Sequence, residues 1–444
     1  MAPDGAFRGT ILHCLADPGD EPKPGASVEV FEDGLLVVRD GRVAAVGPAP
    51  ALLPELAAGT PVADHSGGLI LPGLVDAHVH FPQIEIVGSY ASGLLPWLDR
   101  HAFPAEARFA DPDHAHEIAR FFVNQLLAHG TTTALVFATV HPGSVDALFE
   151  AARAAGMRLV AGKVLMDRNC PDALREPAGV GYERSAALIG RWHGQGRLTY
   201  AVTPRFAPTS SEEQLRLAAR LLDEHPGVRL QTHAAENRDE ERWVRELFPG
   251  CRGSVEVHDR FRLLRPGAVY VHCIHLEDED WRRLSGSGSA VAFCPTSNLF
   301  LGSGLFDLAA AARAGIPVGV GTDVGGGTSL SLLRTLDEAY KVAQLRGATL
   351  TPWRALYLAT LGGARALGLE DVIGSFRPGR EADFVVLDPD ATPILARRLA
   401  RTTSLEERLF AWLVLGDERA IAAVHLMGRP VRRAESAPRR VAPK

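Results

Sequence analysis

Disulfide pairs, membrane spans and excess positive charge are all missing from this chain, and each absence removes a class of function. Its 444 residues include five cysteines, Cys14, Cys170, Cys251, Cys273 and Cys294, an odd number without any CxxC spacing. That usage excludes a disulfide framework and fits a reducing compartment. No apolar stretch approaches the length of a bilayer span. The opening MAPDGAFRGTILHC lacks the charged start and long apolar core of a signal peptide. The expected location is therefore the cytoplasm, with no membrane partner. A net charge of −6 and a pI near 6.3 argue against a nucleic acid or an acidic lipid surface as partner. The one basic patch, RPVRRAESAPRR at 429–440, is terminal and rich in Pro and Ala, and reads as a solvated end. Lysine is scarce as well: Lys23, Lys163, Lys341 and Lys444 are all there is.

What is present describes a globular α/β protein. At 46% hydrophobic and 23% charged, the composition is that of a soluble enzyme-sized chain. Its length predicts one large domain plus a smaller one. Short alternating strands broken by Gly and Pro fill residues 7–70, with Asp40-Gly41 between two of them as a hairpin signal. The other end repeats the theme in IGSFRPGREADFVVLD and IAAVHLMGRPV. Between these ends, strand-like runs occur at 71–80, 131–137, 157–166, 197–205, 228–236, 268–276, 289–297 and 317–325. Helical stretches such as DHAHEIARFFVNQLLAHG and SSEEQLRLAARLLDEHP fill the gaps, the second with a Ser cap and a Glu-rich first turn. Eight βα units predict a closed TIM-like (β/α)8 barrel over residues 71–373. Residues 1–70 and 374–444 are expected to form a small β-sandwich from both termini, the latter with the tail.

His78 and His80 carry most of the functional signal. Side chains alternate faces along a strand, so two imidazoles separated by one residue point the same way and make half of a transition-metal site. Comparable residues recur at other strand ends: His233 after VRLQT, His272 after AVYV, and Asp323 after PVGVGT. A parallel barrel gathers the carboxyl ends of its strands around one point, so these residues are expected to converge there. Cys273 and His275 alternate away from His272 and read as packing and as a structural histidine.

The lysine count bears on how many metals such a site holds. Binuclear hydrolases on barrels of this kind commonly bridge two metals with a carboxylated lysine. Here the fourth strand ends in Pro204-Arg205, and Lys163 lies deep in the third, so a mononuclear site is expected. A bound divalent ion lowers the pKa of its water to about 7. If the leaving group is an amine, it needs a proton as well. Glu236, three residues after His233, stands where it could supply one; spacing alone leaves it equally readable as a solvated loop residue. Asp323 can bind metal and accept a proton from water, and His272 can hold that water or polarise the substrate.

Longer strings carry a resemblance that spacing does not. HFPQ at 80–83, TPRFAPTS at 203–210, QTHAAENRDE at 231–240, VHCIHLEDEDW at 271–281, FCPTSNLFLGSGLFDL at 293–308 and GTDVGGGTS at 321–329 resemble the guanine deaminases of the amidohydrolase superfamily. WLDRHAFPAE at 97–106, MDRNCPD at 166–172 and the segment 359–388 fit the same family, so the likeness runs from about residue 60 to 390. The HxH pair and the final Asp are common to the superfamily, whereas HFPQ with TPRFAPTS narrows it to guanine. The resemblance implies one zinc ion per subunit on His78, His80, His233 and Asp323, with iron as the other metal that suits these donors. It implies Glu236 as proton shuttle, His272 beside the hydrolytic water, and Asp323 assisting it. It further implies guanine contacts from Gln83, Arg205, Phe206, His233 and Glu236, a homodimer, and a place in purine catabolism or salvage. Ala234-Ala235 and Leu330 depart from the family's more usual bulkier residues, which bears on tolerance for modified purines.

Two other readings stand beside this one. A sibling enzyme acting on another purine, a pterin or a triazine would share fold and ligands and differ only in pocket residues. A non-catalytic scaffold on the same barrel would have lost ligands, and none is lost here. The cytidine-deaminase zinc signature, HxE paired with PCxxC, is missing. The segment 84–106, long and rich in Gly, Pro and aromatics, is expected to cover the pocket.

Overall fold

The computed structural model describes residues 5–431; the basic tail beyond residue 431 lies outside the described residues. Both ends of the chain contribute to one seven-stranded sheet. From the front come β1 (Gly5–Cys14), β2 (Val28–Arg39), β3 (Arg42–Pro48) and β4 (Val62–Pro72). The remaining strands divide between the barrel and the back of this sheet. β5 (Leu74–His80), β6 (Thr131–Phe137), β7 (Arg158–Gly162), β8 (Val164–Leu165), β9 (Leu198–Pro204), β10 (Arg229–Ala234), β11 (Ala268–His272), β12 (Ala290–Phe293) and β13 (Val318–Val320) form the barrel. β14 (Phe384–Leu387), β15 (Ile421–Leu426) and β16 (Arg429–Pro430) return to the first sheet, whose order is β16-β15-β14-β4-β1-β2-β3.

The expected hairpin forms: Asp40 and Gly41 both adopt positive φ (49° and 76°) between β2 and β3, the conformation a two-residue turn of matching twist requires. The sheet then curls, because Val43 is hydrogen-bonded on both sides of its peptide by Gly379 and Arg380 on the approach to β14. Phe7, Ile11, Leu36, Ile70 and Phe384 fill the space inside the curl.

In the barrel, parallel pairing runs β5-β6-β7-β9-β10-β11-β12-β13, with the short β8 beside β9. Each of the eight expected runs contains a barrel strand, but those at 268–276, 289–297 and 317–325 stop short, at His272, Phe293 and Val320, and a helix Pro295–Phe300 takes over the end of the second. The ring is closed at its top by the amide of Asp323 on the His78 carbonyl (2.9 Å) and the amide of His80 on the Val324 carbonyl (3.0 Å). Closure needs a glycine at 321, since a Cβ there would lie 2.9 Å from the His78 Cβ. That close approach brings Asp323, just past the last strand, beside His78 on the first.

Amphipathic helices wrap the outside. Pro112–Ala128 starts on the Asp111 side chain and buries Ile118, Phe122, Val123 and Leu126. Glu212–Glu224 starts on Ser211, whose hydroxyl accepts from the Gln214 amide, with Glu212 and Glu213 in its first turn. Both obey the sequence pattern, and each cap satisfies a helix-end amide that would otherwise lack a partner. Among the described residues no helix is long and apolar enough to cross a membrane.

Candidate metal centre and active site

The strand ends converge as their positions predict. His78, His80, His233 and Asp323 present one ligand atom each, all within 4.8 Å of one another and all buried. His78 Nε2 lies 3.0 Å from Asp323 Oδ1, and His80 Nε2 lies 3.5 Å from the same oxygen. His80 Nε2 and His233 Nε2 are 3.1 Å apart. The His233 Nδ1 hydrogen is committed to the Arg205 carbonyl at 2.7 Å, so its Nε2 carries a lone pair aimed at another imidazole nitrogen. Two such nitrogens facing one carboxylate are satisfied together by a cation between them, and the donor set suits a divalent transition metal.

Electrostatics agree with that use. Burial lowers the His78 pKa and drives those of His80 and His233 well below the ordinary value, which favours the neutral form, the one that ligates metal. Burial alone would raise the Asp323 carboxyl, but His78, His272 and His80 around it hold it well below the usual carboxylate range. Asp76 fastens the first strand to the last, its carboxylate accepting from the amides of His78 (3.1 Å) and Thr322 (3.0 Å) and from the Thr322 hydroxyl. Phe137, at the end of β6, lies with ring centroids 4.6–5.1 Å from His78, His80 and His233 and forms an apolar floor beneath them.

Glu236 reaches the same place because the chain turns sharply after β10. Ala235 sits at φ 52°, its amide held by the Ser254 hydroxyl at 2.9 Å, and the Glu236 amide is held by Glu240 at 2.9 Å. The Glu236 carboxylate is buried and closes a ring of contacts. Oε1 accepts from the Ser303 hydroxyl (2.9 Å), and Oε2 lies 3.3 Å from His272 Nε2. His272 Nδ1 donates to Asn298 Oδ1 (2.9 Å), and the Asn298 carbonyl accepts the Ser303 amide (2.8 Å). Burial raises the Glu236 pKa, with His272 and Ser303 opposing. His272 (φ 71°) and Asp323 (φ 49°) share the left-handed backbone of Ala235, strain that tends to collect where function over-determines conformation.

Gln83, Arg205 and Phe206 line one cleft with His80, His233, Glu236, His272 and Asp323. The covering segment does what its position predicts: Leu94, Trp97 and Leu98 line the same cleft, joined by Leu301. His275 lies apart from the ligands and donates Nε2–H to the Ser303 carbonyl at 2.8 Å, a structural role. Cys273 packs in the core. Lys163 spends its ammonium on Glu176 and the Val164 carbonyl, in a buried ion pair outside the four-ligand group. Sequence reasoning missed Asp76, Glu106, Phe137, Asn298 and Ser303. Each lies in or beside a string that was read, but only distant contacts in the folded chain assign it work.

The profile of the Amidohydrolase family matches residues 69–431. The chain is 49% identical to guanine deaminase of Escherichia coli over 426 residues, covering 96% of this chain and 97% of that one. It is 45% identical to the probable guanine deaminase of Deinococcus radiodurans, covering 92% and 94%. Among solved structures, E. coli guanine deaminase superposes with a TM-score of 0.94 over 96% of this chain and 99% of that one. The guanine deaminase of C. acetobutylicum with guanine bound in its active site gives 0.87 at 29% identity, covering 97% and 100%.

Proposed function

The chain belongs to the amidohydrolase family, and we infer that its reaction is the hydrolytic deamination of guanine to xanthine and ammonia. One observation carries this reading. Three of the four clustered metal donors, His80, His233 and Asp323, face one cleft together with a buried carboxylate able to move protons and an arginine with a glutamine amide, and His78 completes the donor group behind them. Zinc is the metal we assign to His78, His80, His233 and Asp323; bound there it would lower the pKa of water to about 7 and polarise it for attack.

The rest of the mechanism belongs to the side chains. Arg205 and Gln83 hold the keto edge of the base, and Phe206 with Leu94, Trp97 and Leu98 encloses it and keeps bulk water out. The carbon that bears the exocyclic amine then faces the imidazoles. Asp323 accepts a proton from the attacking water, and His272, held by Asn298, orients that water. Glu236, starting ionised, takes one proton of that water to the ring nitrogen beside the reacting carbon, where it stays; the other, accepted by Asp323 as the new carbonyl forms, is passed on through Glu236 to the departing amine. A cytoplasmic location, for which the unpaired cysteine usage speaks, and a homodimeric state, which the resemblance implies, are part of the same reading.

The experiment is xanthine formation from guanine by metal-quantified protein, before and after chelation and zinc restoration. Turnover is expected to fall in proportion to the metal removed and to return with zinc. Full metal occupancy without turnover of guanine would move the search to other heterocyclic amines. A second prediction concerns proton affinity. Ser303 donates to the ionised form of Glu236, so Ser303→Ala lets the Glu236 pKa climb further. The base form is then lost at a higher pH, and the acid limb of the kcat/KM–pH profile moves upward. An unmoved acid limb would detach Glu236 from that limb.

A further inference from the structure

We propose that Glu106 is the positioning residue that sets keto-over-amino selectivity, by locking Arg205 and Gln83 so that both offer only donors to the base. The inference rests on the reading of those two residues as base contacts. Glu106 is completely buried and does not line the cleft, yet its carboxylate accepts from both residues that do. Arg205 Nη1 donates to its two oxygens at 2.8 and 2.7 Å, and Gln83 Nε2 donates to Oε1 at 2.9 Å. The Gln83 carbonyl is consumed as well, accepting from the Gly325 amide at 3.1 Å in the loop that follows Asp323. With its oxygen facing Gly325, the amide has its second N–H left for a ligand. Arg205 keeps its Nε and Nη2 hydrogens, which meet no acceptor among the described residues.

The guanidinium is held on its face too. Phe103 lies beneath it at 5.1 Å, three residues before Glu106 on the short helix Phe103–Ala107. Residues three apart share a helix face, so one turn supplies both the edge contact and the stacking surface. That helix ends the segment carrying Leu94, Trp97 and Leu98 over the cleft. The covering segment therefore also orients the recognition donors, and they are coupled to the ligands: the Arg205 carbonyl holds His233 and the Gln83 amide is fixed by Gly325. A buried ion pair of this kind adds little stability over apolar packing of equal volume. Its consequence is geometric: a fixed fork of donors matches a purine carbonyl and leaves unpaired hydrogens opposite an amine.

The test is the ratio of kcat/KM for guanine to that for 2,6-diaminopurine, in which an amine replaces the carbonyl. In Glu106→Gln, guanine is expected to lose about 10- to 100-fold, the worth of a charge-assisted hydrogen bond, while 2,6-diaminopurine changes less than about threefold. The ratio collapses accordingly, with metal content and melting temperature checked alongside. A merely structural role lowers both substrates alike; an unchanged ratio therefore overturns the proposal, as does undiminished guanine turnover. If Glu106→Gln does not fold, Glu106→Asp is measured in its place, since it keeps the charge but withdraws the carboxylate from Arg205 and Gln83; the ratio is again expected to fall, and an unchanged one overturns the proposal. Failure of the guanine reading itself shows differently, as a wild-type protein of full metal content that turns over neither purine.

Discussion

Glu236→Gln enzyme is expected to keep its fold and its metal while losing about 100- to 10,000-fold in kcat for guanine, the usual contribution of a positioned acid–base group. The substitution conserves shape. Glutamine can still accept from Ser303 and lie against His272, so the ring through Asn298 survives. What it cannot do is carry one proton of water to the ring nitrogen and deliver the other to the departing amine. Because burial favours the protonated form of Glu236, the wild-type side chain holds each proton readily on its way from water to the base. Steady-state xanthine formation, with metal analysis of the same preparation, measures the effect. Near-native turnover would remove Glu236 from the mechanism.

Discrimination between purines should be as large. Guanine is expected to be preferred over adenine by about 10,000-fold in kcat/KM, because a site that buries donors for a carbonyl leaves them unpaired against an amine. Arg205 is the main source of that penalty. Its guanidinium carries donors only, and its Nη1 hydrogens are tied to Glu106, so it can neither offer an acceptor nor turn away from the amine. Both bases are assayed on one preparation, and comparable turnover would contradict the Arg205 assignment. The leaving amine occupies different carbons in the two bases, so adenine has to reorient as well as sacrifice hydrogen bonds. Both effects act in the same direction.

These two predictions rest on residues of different legibility. Glu236 was visible as a residue three positions after His233, yet spacing could not separate a proton carrier from a solvated loop side chain. The folded chain distinguishes them through burial and through Ser303, which comes from a loop 67 residues away. Arg205 was visible in TPRFAPTS, but nothing local joined it to Glu106, 99 residues earlier.

The barrel, its eight strands and the five candidate residues at their ends could be read from the chain alone, and the physical reason is periodicity; which four of them form the donor group was what the resemblance implied. Strands alternate with period two, helices with period 3.6, and a parallel barrel brings strand ends to one place. His78, His80, His233, His272 and Asp323 are therefore located by local pattern plus topology. Side-chain partners have no such period. Asp76 with Thr322, Asn298 with His272, Ser303 with Glu236 and Glu106 with Arg205 and Gln83 meet across long stretches of chain, through loops whose turns follow no repeat. Left-handed backbone at Ala235, His272 and Asp323 is likewise imposed by surroundings, since none is a glycine. Local chemistry chose the ligands; three-dimensional packing chose what holds them, what they face and which protons they can move.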